Sequence, residues 1–243
     1  MLTFLRQVHV FFFGGEICLC CGMQAGIIPL CSACQKRLYL QQAQTERCSI
    51  CGKELLSEIE ICSSCRRERV LFSTDKAFPL HSYRFWKKSL LFEWKIEEKR
   101  ALSPLFASLV FEKLKSISPD SPILPVVPVP PRPKKIKHKG WDQIDEMCFY
   151  LKNLYGVKIY KILQRVSSYQ QKKLNRQERI EKSQKSFCIK TNRATKKILA
   201  NPPETVVLVD DVMTTGSTVD SCAKELKRFG VQWVFVVTVF IVD

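Results

Sequence analysis

The chain has 243 residues, a formal net charge of +16 and 46% hydrophobic residues. That is enough apolar material for one large domain or two smaller ones with real cores, and no stretch has the unbroken apolar length of a membrane helix. The positive excess points to nucleic acid, phosphorylated ligands or an anionic membrane face, or to a plain basic surface.

The N-terminus, MLTFLRQVHVFFFGGE, has a short apolar run at Val10–Phe13. Arg6, Gln7 and His9 interrupt the approach to it and no small-residue cleavage site follows. It is expected to pack on the protein rather than act as a signal peptide. Nine of the twelve cysteines then fall between Cys18 and Cys65, eight of them in four CxxC pairs. The pairs are Cys18/Cys21, Cys31/Cys34, Cys48/Cys51 and Cys62/Cys65. They form a repeat, with Gly22 and Gly52 closing the first pair of each unit. Two thiolates on a tight turn, then a residue free to adopt positive φ, is what a zinc knuckle needs. A disulfide framework would belong outside the cytosol, and no export signal accompanies it, so the spacing favours zinc thiolates in a reducing cytosol. Two zinc ribbons are expected, one on Cys18, Cys21, Cys31 and Cys34, the other on Cys48, Cys51, Cys62 and Cys65. A crossed pairing fits the same spacing. Four thiolates leave no open position, so such sites are structural, with docking of a partner as a compatible role. Cys20 is a bystander, and Cys148, Cys188 and Cys222 look like ordinary buried thiols.

Residues 1–70 thus form a cysteine-rich unit and residues 71–243 a second one of α/β pattern. Ala77–Tyr83 predicts a strand, Trp86–Ile96 and Leu102–Leu114 predict helices, and Ile123–Val129 predicts a strand end or edge because proline cannot donate to a ladder. Trp141–Tyr155 predicts a helix. Val206–Val209 and Trp233–Val242 are apolar nearly throughout, as strands covered on both faces are. Strand–helix–strand order implies a mostly parallel sheet, with ligands outside the carboxyl ends of its strands.

Asp210 and Asp211 fall at such an end. Like charges so close repel, and burial makes the pair costly, so a partner from outside the fold is expected to offset them. Thr214, Thr215, Gly216, Ser217 and Thr218 follow. Then comes a helix burying Val219, Cys222, Ala223 and Leu226 at i, i+3, i+4 and i+7, with Gly230 as its stop. A glycine-containing loop at a helix N-terminus, flanked by hydroxyls, makes a phosphate cradle. The carboxylates would accept hydrogen bonds from the vicinal hydroxyls of an attached sugar. A capping loop would need only one hydroxyl.

VVLVDDVMTTGST resembles the phosphoribosyl pyrophosphate (PRPP) motif of type I phosphoribosyltransferases. With the double CxxC head before it, the layout resembles the ComF family of bacterial competence proteins. VPVPPRPKKIKHKGWDQ is similar to that family's VPVP…RGFNQ segment, Gly140 and Gln143 matching. QKKLNRQERIEKSQKSF resembles its Q..L....R..N....F segment through Gln171, Leu174, Arg179 and Phe187, with Lys182 in place of Asn. The resemblance implies a type I phosphoribosyltransferase-like fold. Asp210 and Asp211 would hold ribose, and Thr214, Thr215, Gly216, Ser217 and Thr218 the 5-phosphate.

Arg132 and Lys139 would bound a basic loop that takes diphosphate with Mg²⁺, or simply a solvated basic loop. Tyr169–Lys185 would close over the site or form a plain surface helix. The resemblance further implies natural transformation and DNA uptake, with single-stranded DNA at the cytoplasmic side of the membrane. Other DNA-uptake proteins, such as a competence helicase, would be partners. Tyr83, Phe85, Trp86 and Trp141 beside cations could stack bases or belong to the core. The alternative function is an active transferase releasing pyrophosphate from PRPP onto an acceptor that the residues do not name.

Overall fold

The computed structural model describes residues 15–41, 46–131, 140–166 and 186–242. Each cysteine unit is built the same way. A bridge, Ile17 to Gln24 or Arg47 to Glu54, precedes a short helix, α1 (Ser32–Gln41) or α2 (Ser63–Arg67). Then follow β1 (Lys76–Ser82), α3 (Trp86–Lys95), a 3₁₀ turn (Arg100–Leu102) and α4 (Ser103–Ile117). After these come β2 (Val126–Pro128), α5 (Gln143–Tyr155), β3 (Leu163–Arg165), β4 (Phe187–Ile189) and α6 (Arg193–Leu199). The chain closes with β5 (Thr205–Met213), α7 (Ser217–Arg228) and β6 (Trp233–Ile241).

Four strands make one sheet in the order β1-β6-β5-β2, with every neighbouring pair parallel. The expected mostly parallel α/β sheet is there. β5 shows why its apolar run was needed: Val207 and Val209 join one core, while Val206 and Leu208 join the other. The first core holds Trp94, Phe106 and Phe240 under α3, α4 and α5; the second lies under α7 and the antiparallel β3–β4 pair. β2 is an edge, as Pro125 and Pro128 implied; outside it lies the single bridge Val126–Ile159. Asp142 caps α5 by accepting from the Ile144 and Asp145 amides at 3.0 and 3.1 Å. Capping of this kind satisfies donors that a helix start leaves open.

Two differences from expectation matter. β5 does not stop at Val209. It runs on to Met213, because pairing with β6 continues from Asp210 opposite Thr238 to Met213 opposite Ile241. The acids therefore sit within the strand's last turns of pleat, not after it. The cysteine units are also not isolated from the rest. Cys18, Leu30, Cys34 and Leu38 belong to the same apolar cluster as Leu80, Trp94 and Phe106, and Tyr39 hydrogen-bonds Ser108.

The second unit covers β1, the other edge of the sheet. Arg47 donates through Nη1 to the carbonyls of Gly52 and Pro79, both at 3.0 Å, and through Nη2 to that of Leu80 at 3.2 Å. Gly52 lies so close that a Cβ there would meet Pro79 Cδ at 2.3 Å. An edge strand presents unpaired backbone groups, and Arg47 takes two carbonyls of this one.

His81 on β1 is 1% exposed, and neither ring nitrogen has a hydrogen-bond partner among the described residues. Burial, then the charges of Lys87 and Arg47, push it down to about 3. Its unfolded value is near 6.5, so between those two values the unfolded chain binds a proton that the native chain does not. Native stability must fall as pH drops through that window. His81→Leu is expected to recover roughly 3 kcal/mol of the loss at about pH 4, measured as the difference between urea unfolding at neutral and acid pH. An unchanged acid limb would contradict this assignment.

Candidate functional site

In each cysteine unit the four Sγ atoms lie within 4.8 Å of one another. The grouping is sequential, with Cys18, Cys21, Cys31 and Cys34 in one set and Cys48, Cys51, Cys62 and Cys65 in the other. Cys21 and Cys31 approach to 3.7 Å, as do Cys51 and Cys62. A tetrahedron with Zn–S bonds of about 2.3 Å has edges of about 3.8 Å, so both donor sets fit zinc. The backbone prepares them. Burial alone would raise the Cys18 thiol, but backbone hydrogen bonds from Cys31, Cys21 and Cys20 bring it down to about 6. Burial would likewise raise Cys48, and the amides of Cys62, Cys51 and Ile50 bring it to about 7. The Cys62 amide reaches Cys48 Sγ at 3.4 Å. The first cysteine of each unit is thus held toward the thiolate, the form that binds metal.

Cys20 lies outside both sets. Cys148 and Cys222 are buried; burial pushes Cys148 up to about 12 and raises Cys222 as well. Cys188 is only half-buried and accepts a hydrogen bond from Gln164.

The loop from Thr214 to Gly216 joins β5 to α7. Gly216 has φ 89, the left-handed turn that starts the helix. A Cβ there would meet Leu71 Cδ2 at 2.6 Å. Thr215 Oγ1 accepts from the Ser217 amide at 3.3 Å and lies 2.8 Å from Ser217 Oγ. Thr214 and Thr215 are exposed. Leu71 is held over the glycine because the chain after it is pinned. Asp220 in the first turn of α7 accepts from the Ser73 and Thr74 amides at 2.7 and 3.0 Å. Asp75 in turn pairs with Lys227 at 2.8 Å and accepts from the Val234 amide at 2.7 Å.

The two acids are not equivalent. Asp211 is 4% exposed, and its Oδ2 receives Lys95 Nζ at 2.6 Å and Gln143 Nε2 at 2.5 Å. Its Oδ1 accepts from the Val212 amide at 2.7 Å. Asp210 is half-buried, and its Oδ1 accepts from the Asp211 amide at 2.9 Å. Withdrawal of its carboxyl from water, then the charge of Asp211, holds Asp210 well above the usual carboxylate range. For Asp211, then, the offset expected from outside the fold comes from within it. Lys95 pairs with Asp211.

A cleft of about 560 Å³ opens on the loop. Thr214, Thr215 and Met213 form one wall, and Cys62, Cys65 and Arg67 of the second cysteine unit form the facing one. Neither acid lines it.

Competence protein F of Haemophilus influenzae is 26% identical over 212 residues, spanning 84% of this chain and 86% of that protein. The resemblance to the ComF family is borne out. No family model matches the chain.

In this ComF-like chain the segment around Gln143 meets the acid pair directly, since Gln143 is the residue that reaches Asp211. Arg132 and Lys139, the Tyr169–Lys185 stretch and the N-terminal apolar run lie outside the described residues. Of the aromatics, Phe85 stands open to solvent at 86%. Tyr83, Trp86 and Trp141 pack against the first core, so for these three the core alternative fits. Lys95 was not anticipated: it ends a helix and begins the charged run KIEEK, which gives no sign that its first lysine turns inward. No described helix is long and apolar enough to cross a membrane.

Proposed function

We propose that the chain is a ComF-type protein that binds PRPP and handles single-stranded DNA during DNA uptake. The β5–loop–α7 unit carries the reading. An acid pair at the carboxyl end of a central parallel strand is followed by TTGST, with Gly216 turning the backbone into the first amides of α7. Helix amides and the hydroxyls of Thr214, Thr215, Ser217 and Thr218 would take the 5-phosphate. Asp210 would meet the ribose hydroxyls, with Asp211 behind it. Arg132 and Lys139 would take the diphosphate, and Mg²⁺ would come with that group. The zinc units serve as structure, and the basic excess of the chain suits a nucleic-acid backbone. The name of the Haemophilus relative supports a competence role.

Calorimetry with PRPP and Mg²⁺ tests the first half of the reading. Binding with one site per chain is expected, and an Asp210→Asn, Asp211→Asn double variant should lose it. Affinity for single-stranded DNA should persist in that variant and fall steeply as salt rises. Equal loss of DNA binding, with the fold intact, would rule out separate sites. A flat salt response would remove the polyanion reading.

A further inference from the structure

We infer that Lys95 occupies the cation position at the acid pair, so that the sugar-phosphate part of a ligand binds there without a divalent metal. The inference rests on the phosphoribosyl reading of the loop and deepens it.

The geometry is specific. Oδ2 of Asp211 receives two donors, Lys95 and Gln143, and Oδ1 a third, the Val212 amide. Magnesium needs oxygen ligands at about 2.0–2.1 Å in a near-octahedral shell and keeps several waters. An ammonium at 2.6 Å from a buried oxygen stands where that ion and its waters would go. Bringing a divalent ion against the same carboxylate would also set two cations in contact, and at partly buried sites such repulsion is large. Asp211 as it stands does not fit magnesium.

Lys95 is also well placed to stay. Its neighbour Trp94 is fully buried, packs against Phe106 with the rings tilted and their centroids 4.5 Å apart, and donates through Nε1 to Ser103 Oγ at 2.9 Å. That anchor fixes the last turn of α3. The Lys95 side chain is 34% exposed while that of Asp211 is 6% exposed, so the lysine reaches inward from the rim. A sugar at the pair would therefore meet Asp210 and a carboxylate already matched by an internal cation. Metal would be needed only for a diphosphate, elsewhere on the ligand.

Two probes separate the ideas. Ribose 5-phosphate, which has no diphosphate, should bind the zinc-loaded wild-type protein equally well with Mg²⁺ and in chelator-free buffer without Mg²⁺. Lys95→Ala should weaken its binding in the Mg²⁺-free buffer by about tenfold, the scale of one charge-assisted hydrogen bond, and Mg²⁺ should restore it. Lys95→Arg should behave as wild type. The second probe needs no sugar. Mn²⁺ followed by electron paramagnetic resonance should gain a site in Lys95→Ala that Lys95→Ala, Asp211→Asn lacks. Thermal melts confirm that each variant is folded. Ribose 5-phosphate binding that requires Mg²⁺ in the wild type would overturn the inference, as would a Lys95→Ala variant that gains no Mn²⁺ site. If the wild type binds no ribose 5-phosphate under either condition, the phosphoribosyl reading fails, and the Mn²⁺ result still decides whether Lys95 holds a cation position.

Discussion

Stripping metal with a strong chelator at neutral pH is expected to unfold both cysteine units and to loosen the sheet edge they cover. Neither unit carries a core of its own. The second depends on its four sulfurs, on Arg47 and on the close seat of Gly52 against Pro79. Metal-binding energy in such units is folding energy, of order 10 kcal/mol per site. Two zinc ions per chain are expected, one for each sulfur set. The loss should not stop at the units. Leu30 and Leu38 leave the core that Trp94 and Phe106 share, and the carbonyls of Pro79 and Leu80 lose Arg47. Hydrogen exchange should therefore speed up in β1 but not in β5, which β6 and β2 flank on both sides. A metal assay without zinc, or unchanged protection of β1 in chelated protein, would contradict this.

Gly216→Val is expected to abolish phosphate binding and to destabilise the protein by about 2–5 kcal/mol. Two costs add. A β-branched residue at φ 89 is strained by roughly 1–2 kcal/mol, and forcing extra methyls into a packed site costs about 1–3. The packing cost is real here because the added Cβ meets Leu71 Cδ2 at 2.6 Å. Leu71 can yield only through its side chain, since the Ser73 and Thr74 amides behind it are tied to Asp220. Moving the loop instead would displace the amides that open α7. Urea unfolding and PRPP calorimetry read the two effects separately. A variant that unfolds as the wild type does, with intact PRPP affinity, would show that the loop neither needs this turn nor binds there.

Local pattern carried much of the fold. The apolar run Val206–Val209, the TTGST loop and the i, i+3, i+4, i+7 face of α7 are contiguous, and each is where its periodicity put it. The four cysteine pairs were legible for the same reason, although their grouping needed the structure. What the sequence hid was long-range. Asp220 looked like any first-turn acid, yet it holds an amide 147 residues away. Gln143 and Lys95 converge on Asp211 from two helices, and no spacing in the chain brings them together. β3 and β4 are three residues each and lean on one another, so neither shows enough alternation to stand out. β5 outran its apolar stretch because ladder pairing with β6, not hydrophobicity, sets where it ends.

The decisive measurement is a crystal structure of the protein with PRPP. The 5-phosphate should lie on the amides that follow Gly216, with a ribose hydroxyl on Asp210 and Lys95 still on Asp211. A sugar bound elsewhere, with the loop closed and vacant and both acids satisfied by the protein alone, would contradict the account.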